Sequence, residues 1–217
     1  MKTFVSIGAG PGMGFATAER FAREGYTVVL AARSTDKARD LAANLIAKGY
    51  KAETATVDAS IGANVEALID DVKRRHGSVD VIHYNAASMR QAKIGDQPTD
   101  SFVSDLAVNI GGAEAAAKAA EKMMSTERAG SLLLTGGGFS LAPSPDYISL
   151  SIGKAGIRAL AIGLFDDFKA KGIHVGTVTV ATMVEPGSAH ATAVAEHFWE
   201  LHNEKPGSWT NEVKYPG

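Results

Sequence analysis

Residues 147–154 read YISLSIGK and follow a run of three glycines, Gly136 to Gly138. A phenol, two aliphatic hydroxyls and an ammonium in one short stretch can exchange a proton with a reacting oxygen. Tyr147 alone among the hydroxyls has the intrinsic acidity for that task. On a continuous helix it shares a face with Lys154, but seven residues of helix put ~10 Å of rise between them. The tyrosine approaches the lysine only if the helix starts later and the chain folds back. Ser151 lies three residues from Lys154 and is better spaced, but an aliphatic hydroxyl is a far poorer acid. Ser140, ending TGGGFS, can point into the same space from the glycine run. The alternative is an ordinary helix start, with Ser149 as its N-cap and Leu150 packed in the core.

A second group of residues suits a phosphate. IGAGPGMG closes the first strand and opens the first helix, with Gly8, Gly12 and Gly14 spaced GxxxGxG, Gly10 as a fourth glycine and Met13 between the last two. Glycines there allow a tight turn and let a pyrophosphate reach bare N–H groups at a helix N-terminus. The second strand ends LAARS. A site for NAD usually carries an acid at this point for the ribose 2′-hydroxyl, whereas an arginine takes a 2′-phosphate. Ala32 stands where the acid might, and Arg33 with Ser34 follows. A guanidinium can grip phosphate with two hydrogen bonds. The expected cofactor is NADP(H) in preference to NAD(H).

Positioning these groups requires alternating strands and helices. Strand candidates fall at 3–7, 27–31, 51–57, 79–84, 130–135 and 173–180, with helices at about 13–24, 35–48, 60–76, 98–125 and 150–171. Several strands are apolar on both faces, as in a parallel sheet covered by helices on each side. This regular alternation predicts a doubly wound α/β sheet. Residues 181–217 break the pattern and read as a short C-terminal appendage, with a helix around Ala191 to His202 and a terminal run, Glu212 to Tyr215.

The glycine loop is followed by Asp58 after strand three, Asn85-Ala86-Ala87 after strand four, Asn109 in the helix at 98–125 and Lys154 in the helix at 150–171. In that order they resemble the short-chain dehydrogenase/reductase family, over about residues 1–180. The resemblance implies a single NAD(P)-binding Rossmann domain, residues 1–217, with about seven strands. It implies that Asp58 and Ala59 border the adenine, and that Asn85, Ala86, Ala87 and Thr182 line the cofactor. Asn109 would hold a water in a proton relay, and Lys154 would bind the nicotinamide ribose. The family's active tyrosine, four residues before the lysine, is here Leu150, and its serine partner, seventeen before, is Gly137. The proline-glycine that ends strand six in the family falls at Val180-Ala181, and Pro186-Gly187 lies six residues later. In the family the lysine ammonium lowers the tyrosine pKa from about 10 towards neutrality. Leucine cannot take that part, and neither Tyr147 nor Ser151 is expected to serve well.

The 217 residues, 45% hydrophobic and 21% charged with net charge −2, fit one domain. The Lys73-Arg74-Arg75 cluster sits among acids, so no nucleic-acid surface is expected. Without cysteine there are no disulfides, thiolate metal sites or cysteine nucleophiles. No metal is expected, since His197 and His202 lack a convincing carboxylate or third histidine nearby in sequence. His197 and Trp199 can border a ligand or simply face a packed helix. No signal peptide or membrane span of ~18 apolar residues is expected, which suggests a soluble cytoplasmic protein. GGAEAAAKAAEKMM and AGIRALAIGL offer small residues for close helix packing, and the family resemblance implies a homodimer or homotetramer. The expectation is an NADP(H)-binding oxidoreductase acting on an unknown carbonyl or alcohol. A sensor that keeps the pocket and has lost the chemistry is the alternative.

Overall fold

The computed structural model describes residues 2–124 and 129–217. In chain order the elements are β1 (Thr3–Ile7), α1 (Met13–Arg23), β2 (Thr27–Ala32), α2 (Thr35–Ala47), β3 (Ala52–Thr56), α3 (Gly62–His76) and β4 (Val81–Tyr84). Then come α4 (Thr99–Leu106), α5 (Gly112–Met123), β5 (Gly130–Thr135), α6 (Ile148–Ala170), β6 (Ile173–Val180), α7 (Ala189–Asn203) and β7 (Glu212–Tyr215). The seven strands form one parallel sheet in the order β3-β2-β1-β4-β5-β6-β7. This is the doubly wound Rossmann architecture, reversing direction between β1 and β4.

The two-residue period of each strand divides the core. Phe4, Val28, Leu30, Val81, Leu133 and Val178 point to one face and pack against α1, α2 and α7. Val5, Ile7, Val29, Ala31, Ile82 and Leu132 point to the other, against α3, α5 and α6. Each large side chain so buried contributes about 1.5–3 kcal/mol.

Two sequence expectations change here. The single helix read at 98–125 is broken by a π-helical turn at Ala107–Gly111, and its expected end at 125 lies outside the described residues. Residues 181–217, read as an appendage, are built into the fold. β7 pairs with β6, and Glu212 takes both Arg158 Nε and Nη2 at 2.9 Å. α7 lies on α1, where Trp199 meets Phe21 edge-on at 5.1 Å under the Arg20 guanidinium. His202 bridges the Tyr26 hydroxyl and Ser131, while His197 pairs with Glu200. The aromatic and histidine residues of the tail therefore pack helices together, and the ligand role considered for His197 and Trp199 gains no support.

Candidate active site

An open α/β sheet takes its ligand in the crevice at the carboxyl ends of the strands where the strand order reverses, here between β1 and β4. The Gly8 and Ala9 N–H groups both donate to the Ala31 carbonyl, tying the loop after β1 to β2. Gly8 has φ +86°, and a Cβ there would meet the Ala86 nitrogen at 2.4 Å, so glycine is required twice over. Gly14 is similarly hemmed in, by Asn85 and Gly8. By contrast, a Cβ on Gly10 would meet nothing within 4 Å, and one on Gly12 only the Val184 carbonyl, at 3.9 Å. The open side of the loop thus lies at Gly10 and Gly12, just before the uncapped N-terminus of α1 at Met13. That is the space a pyrophosphate needs.

A buried polar chain fixes this crevice from beneath. Asn85 Nδ2 donates to the Gly8 carbonyl and its Oδ1 accepts from the Thr135 hydroxyl, at 2.9 and 3.0 Å. The Thr135 oxygen accepts in turn from His83 Nε2, leaving Nδ1 to accept from Ser6. Burial pushes the His83 pKa down to about 3, so the ring stays neutral. Three adjacent strands, β1, β4 and β5, are locked together under the glycine loop by these contacts.

At the ends of β2 and β3, Arg33 is exposed and forms no ion pair among the described residues. Ser34 precedes α2 and its side chain makes no capping bond. Asp58 Oδ1 accepts from the Ser60 N–H and hydroxyl, and these bonds, with Arg33 nearby, hold its carboxyl below the usual range. Ala59 is buried, while Ala86 and Ala87 are partly buried beside the loop. Thr182 follows β6 and lies against Gly217.

The lysine sits where the sequence suggested. Lys154 Nζ donates to the carbonyl of Thr135, the last residue of β5, at 2.7 Å. Its stem runs over Gly137, where a Cβ would come within 3.2–3.4 Å of three stem carbons. Leu150, four residues earlier and so on the same face of α6, is buried at 3% exposure. Desolvation lowers the Lys154 pKa to about 8.

The hydroxyls of YISLSIGK are placed otherwise than expected. α6 begins after Tyr147, which is its N-cap residue, so Ser149 is not the cap; its hydroxyl donates to Asp105 at 3.0 Å. Ser151 donates to the Tyr147 carbonyl at 2.8 Å and accepts from the Ser144 N–H at 3.1 Å. It serves the entry to the helix rather than a substrate. Tyr147 leaves the helix path and stacks on Phe139 at 5.5 Å. No hydrogen bond joins it to Lys154 among the described residues. The Ser140 hydroxyl oxygen is buried and has no partner among them.

Asn109 occupies the π-helical turn at 2% exposure. Its Oδ1 accepts from the Ser88 N–H and its Nδ2 donates to the Ser88 carbonyl, at 2.7 and 3.1 Å. Both side-chain groups thereby hold the loop after β4. The Tyr84 hydroxyl takes the Val108 carbonyl in the same turn. A Cβ on Gly153 would strike Asn109 at 2.3 Å, so α6 can approach this turn only through a glycine.

Sequence reading missed Asp105. This carboxylate, 2% exposed on α4, accepts from Ser88 Oγ at 2.6 Å, Arg90 Nε at 2.8 Å, Ser149 Oγ at 3.0 Å and Gln97 Nε2 at 3.3 Å. Burial alone would raise its pKa, but these donors outweigh burial and hold it at about 2. One signal was available: Asp105 stands four residues before Asn109, on the same helix face. Among the described residues no group of three or more His, Cys, Asp or Glu side chains is placed to hold a metal ion.

Comparison with known proteins places this geometry in context. The family model described as short chain dehydrogenase matches residues 2–196. An uncharacterized oxidoreductase of Bacillus subtilis (strain 168), YxbG, is 30% identical over 186 residues, 85% of this chain and 68% of that protein. A short-chain dehydrogenase from Rhodopseudomonas palustris has a similar structure, with a TM-score of 0.89 at 24% identity over 99% of this chain and 97% of that one. A metagenomic short-chain oxidoreductase, solved in complex with NADP, gives 0.87 at 22% identity over 98% and 96%.

Proposed function

The chain belongs to the short chain dehydrogenases, and from that premise we propose an NADP(H)-dependent oxidoreductase that interconverts a carbonyl and an alcohol. One observation carries the reading: a glycine loop open at Gly10 and Gly12, with the unpaired guanidinium of Arg33 at the end of the next strand. When bound, the cofactor supplies or accepts a hydride. Backbone N–H groups from Gly12 to Gly14 take the pyrophosphate, and Arg33 with Ser34 takes the 2′-phosphate. Asp58 and Ala59 border the adenine. Asn85, Ala86, Ala87 and Thr182 line the cofactor, and Lys154 takes the nicotinamide ribose. The NADP complex of a structural neighbour supports the cofactor assignment by analogy.

The sensor reading called for an apolar plug near Leu150, and Leu150 is indeed buried. Lys154 beside it still keeps ammonium hydrogens beyond the one given to Thr135, which favours an enzyme. NADPH is expected to bind more tightly than NADH. Arg33→Ala should weaken NADPH binding about ten- to a hundredfold, the worth of a charge-assisted contact, and leave NADH nearly unchanged. Equal affinities of the native chain for both nucleotides by calorimetry would refute the preference.

We read the chain further as a soluble cytoplasmic homodimer or homotetramer. The alanines of α5, expected to pack across a two-fold axis, are already buried within the chain, so that part of the expectation is corrected. α6 supplies the surface instead: Ile152, Ala155, Ala159 and Ile162 are exposed in one stripe. Contrary to the sequence expectation, α6 is long and apolar enough by length and composition to cross a membrane, with a mean hydropathy of 1.5 over its best window. It also packs on β6 and carries Arg158 bonded to Glu212, which fits a helix shared between two copies better than a span. Light scattering at micromolar concentration should give at least a dimer, and Ile162→Glu a monomer. A monomeric native chain would contradict the assembly.

A further inference from the structure

The absent tyrosine raises the question of which group protonates the substrate oxygen. Hydride addition to a carbonyl creates an alkoxide that needs a proton. The candidate hydroxyls around Lys154 are almost all committed. Ser149 donates to Asp105, Ser151 to the Tyr147 carbonyl and Thr135 to Asn85. Both groups of the Asn109 amide are held by Ser88. The Ser140 oxygen is buried, and an aliphatic alcohol is a poor acid in any case. The Tyr147 hydroxyl is uncommitted among the described residues, but its ring is stacked on Phe139 outside the helix and it makes no hydrogen bond to Lys154.

Lys154 differs from all of these. An ammonium carries three N–H donors; the Thr135 carbonyl takes one and the nicotinamide ribose, in the reading above, a second, which leaves one for a substrate oxygen. The group stands at the carboxyl end of β5, at the binding edge of the sheet. Gly137 gives its stem room, and Leu150 is the apolar residue one turn before it. Neither Leu150 nor Gly137 offers a side-chain hydroxyl beside this ammonium.

We propose that Lys154 itself donates the proton to the substrate oxygen, in the place of the missing phenol; this deepens and rests on the oxidoreductase reading above. As hydride reaches the carbonyl carbon, the C=O π pair moves to oxygen. One N–H bond of the ammonium breaks and an O–H bond forms, giving the alcohol and a neutral amine. Solvent then returns the proton to the amine. Alcohol oxidation runs the same transfers backwards, the neutral amine accepting the hydroxyl proton.

The electrical surroundings suit this role. Desolvation brings the ammonium pKa down to about 8, into the range where a general acid works at neutral pH. No carboxylate is paired with Lys154 among the described residues. The titratable group coupled to it is His83 on β4, which burial keeps uncharged through that range.

The test joins a titration to a rate. NMR of lysine-labelled native protein, with the Lys154 signal assigned by its loss in Lys154→Arg, should show ionisation near pH 8. Single-turnover reduction of 4-nitrobenzaldehyde with prebound NADPH should fall above the same pH. Lys154→Arg, which stays charged, should bind NADPH yet reduce the aldehyde ~10²–10⁴-fold more slowly, the usual worth of general acid assistance. NADPH binding combined with an ionisation above pH 10, or with full activity in Lys154→Arg, would overturn the proton-donor role and leave the cofactor reading intact. Failure of the native chain to bind NADPH would overturn both.

Discussion

Leu150→Tyr is expected to raise NADPH-dependent carbonyl reduction by about 10²–10³-fold, because it returns a phenol to the helix face that carries Lys154. The ammonium then lowers the phenol's pKa and relays charge to it, and the substrate oxygen receives its proton from a better-placed acid. The ring must enter a site now filled by a leucine of 3% exposure, at a packing cost of about 1–3 kcal/mol. Leu150→Phe serves as the control, since it carries the same bulk without the hydroxyl. Gly137→Ser should add less, because its Cβ would press on the Lys154 stem at 3.2–3.4 Å and shift the group it is meant to assist. The check is steady-state NADPH oxidation by the native chain, both Leu150 variants and the Gly137 variant. A folded, NADPH-binding Leu150→Tyr protein no faster than Leu150→Phe would show that a phenol at this position is not what the site lacks.

Asp105→Ala should destabilise the protein by about 3 kcal/mol at neutral pH, the cost of leaving the partners of a buried charge unpaired. Ser88, Arg90 and Ser149 would all lose their acceptor, and with them the join between the loop after β4, α4 and the start of α6. The pH dependence follows from the depressed pKa of about 2. A carboxyl ionised more easily in the folded than in the unfolded chain stabilises the fold above its unfolded pKa of about 4. That stability is lost as pH falls from about 4 through about 2. The native chain should therefore lose stability relative to Asp105→Asn across this window, while the difference stays constant above it. Denaturant unfolding at pH 7, 4 and 2.5 measures it; equal stability of native and Asp105→Ala proteins at pH 7 would remove Asp105 from this role.

The sequence made the layered sheet and the glycine loop legible because both rest on local patterns. Strand alternation repeats every two residues, and a turn as tight as that at Gly8 admits no other residue type. The chain's departures at Leu150 and Gly137 were equally plain, since they turn on residue identity alone. What stayed hidden depends on contacts between distant segments. Asp105 gathers donors from loops and a helix up to 44 residues away, and Asn85 meets Thr135 across 50. The π-helical turn follows from Asn109 reaching the Ser88 backbone and Tyr84 reaching the Val108 carbonyl, which no helix propensity encodes. The alanines of α5 looked free for a partner because composition cannot tell which surface will cover a small residue. α3 and the sheet cover them first. Ser149 was a sound cap by residue type, but the helix starts two residues earlier, capped at Tyr147, and turns that hydroxyl inward.

The central claim is that the chain transfers hydride without the family's tyrosine, and deuteride transfer tests it most directly. NADPH deuterated at both C4 positions is incubated with native protein and a panel of aldehydes and ketones, and the alcohols are examined by mass spectrometry. Slow formation of alcohol carrying one deuterium on carbon is expected, with the rate falling above pH 8. Tight NADPH binding with no deuterated alcohol from any carbonyl, under conditions where Leu150→Tyr produces it readily, would contradict the account and mark the native chain as a nucleotide-binding protein without the reaction.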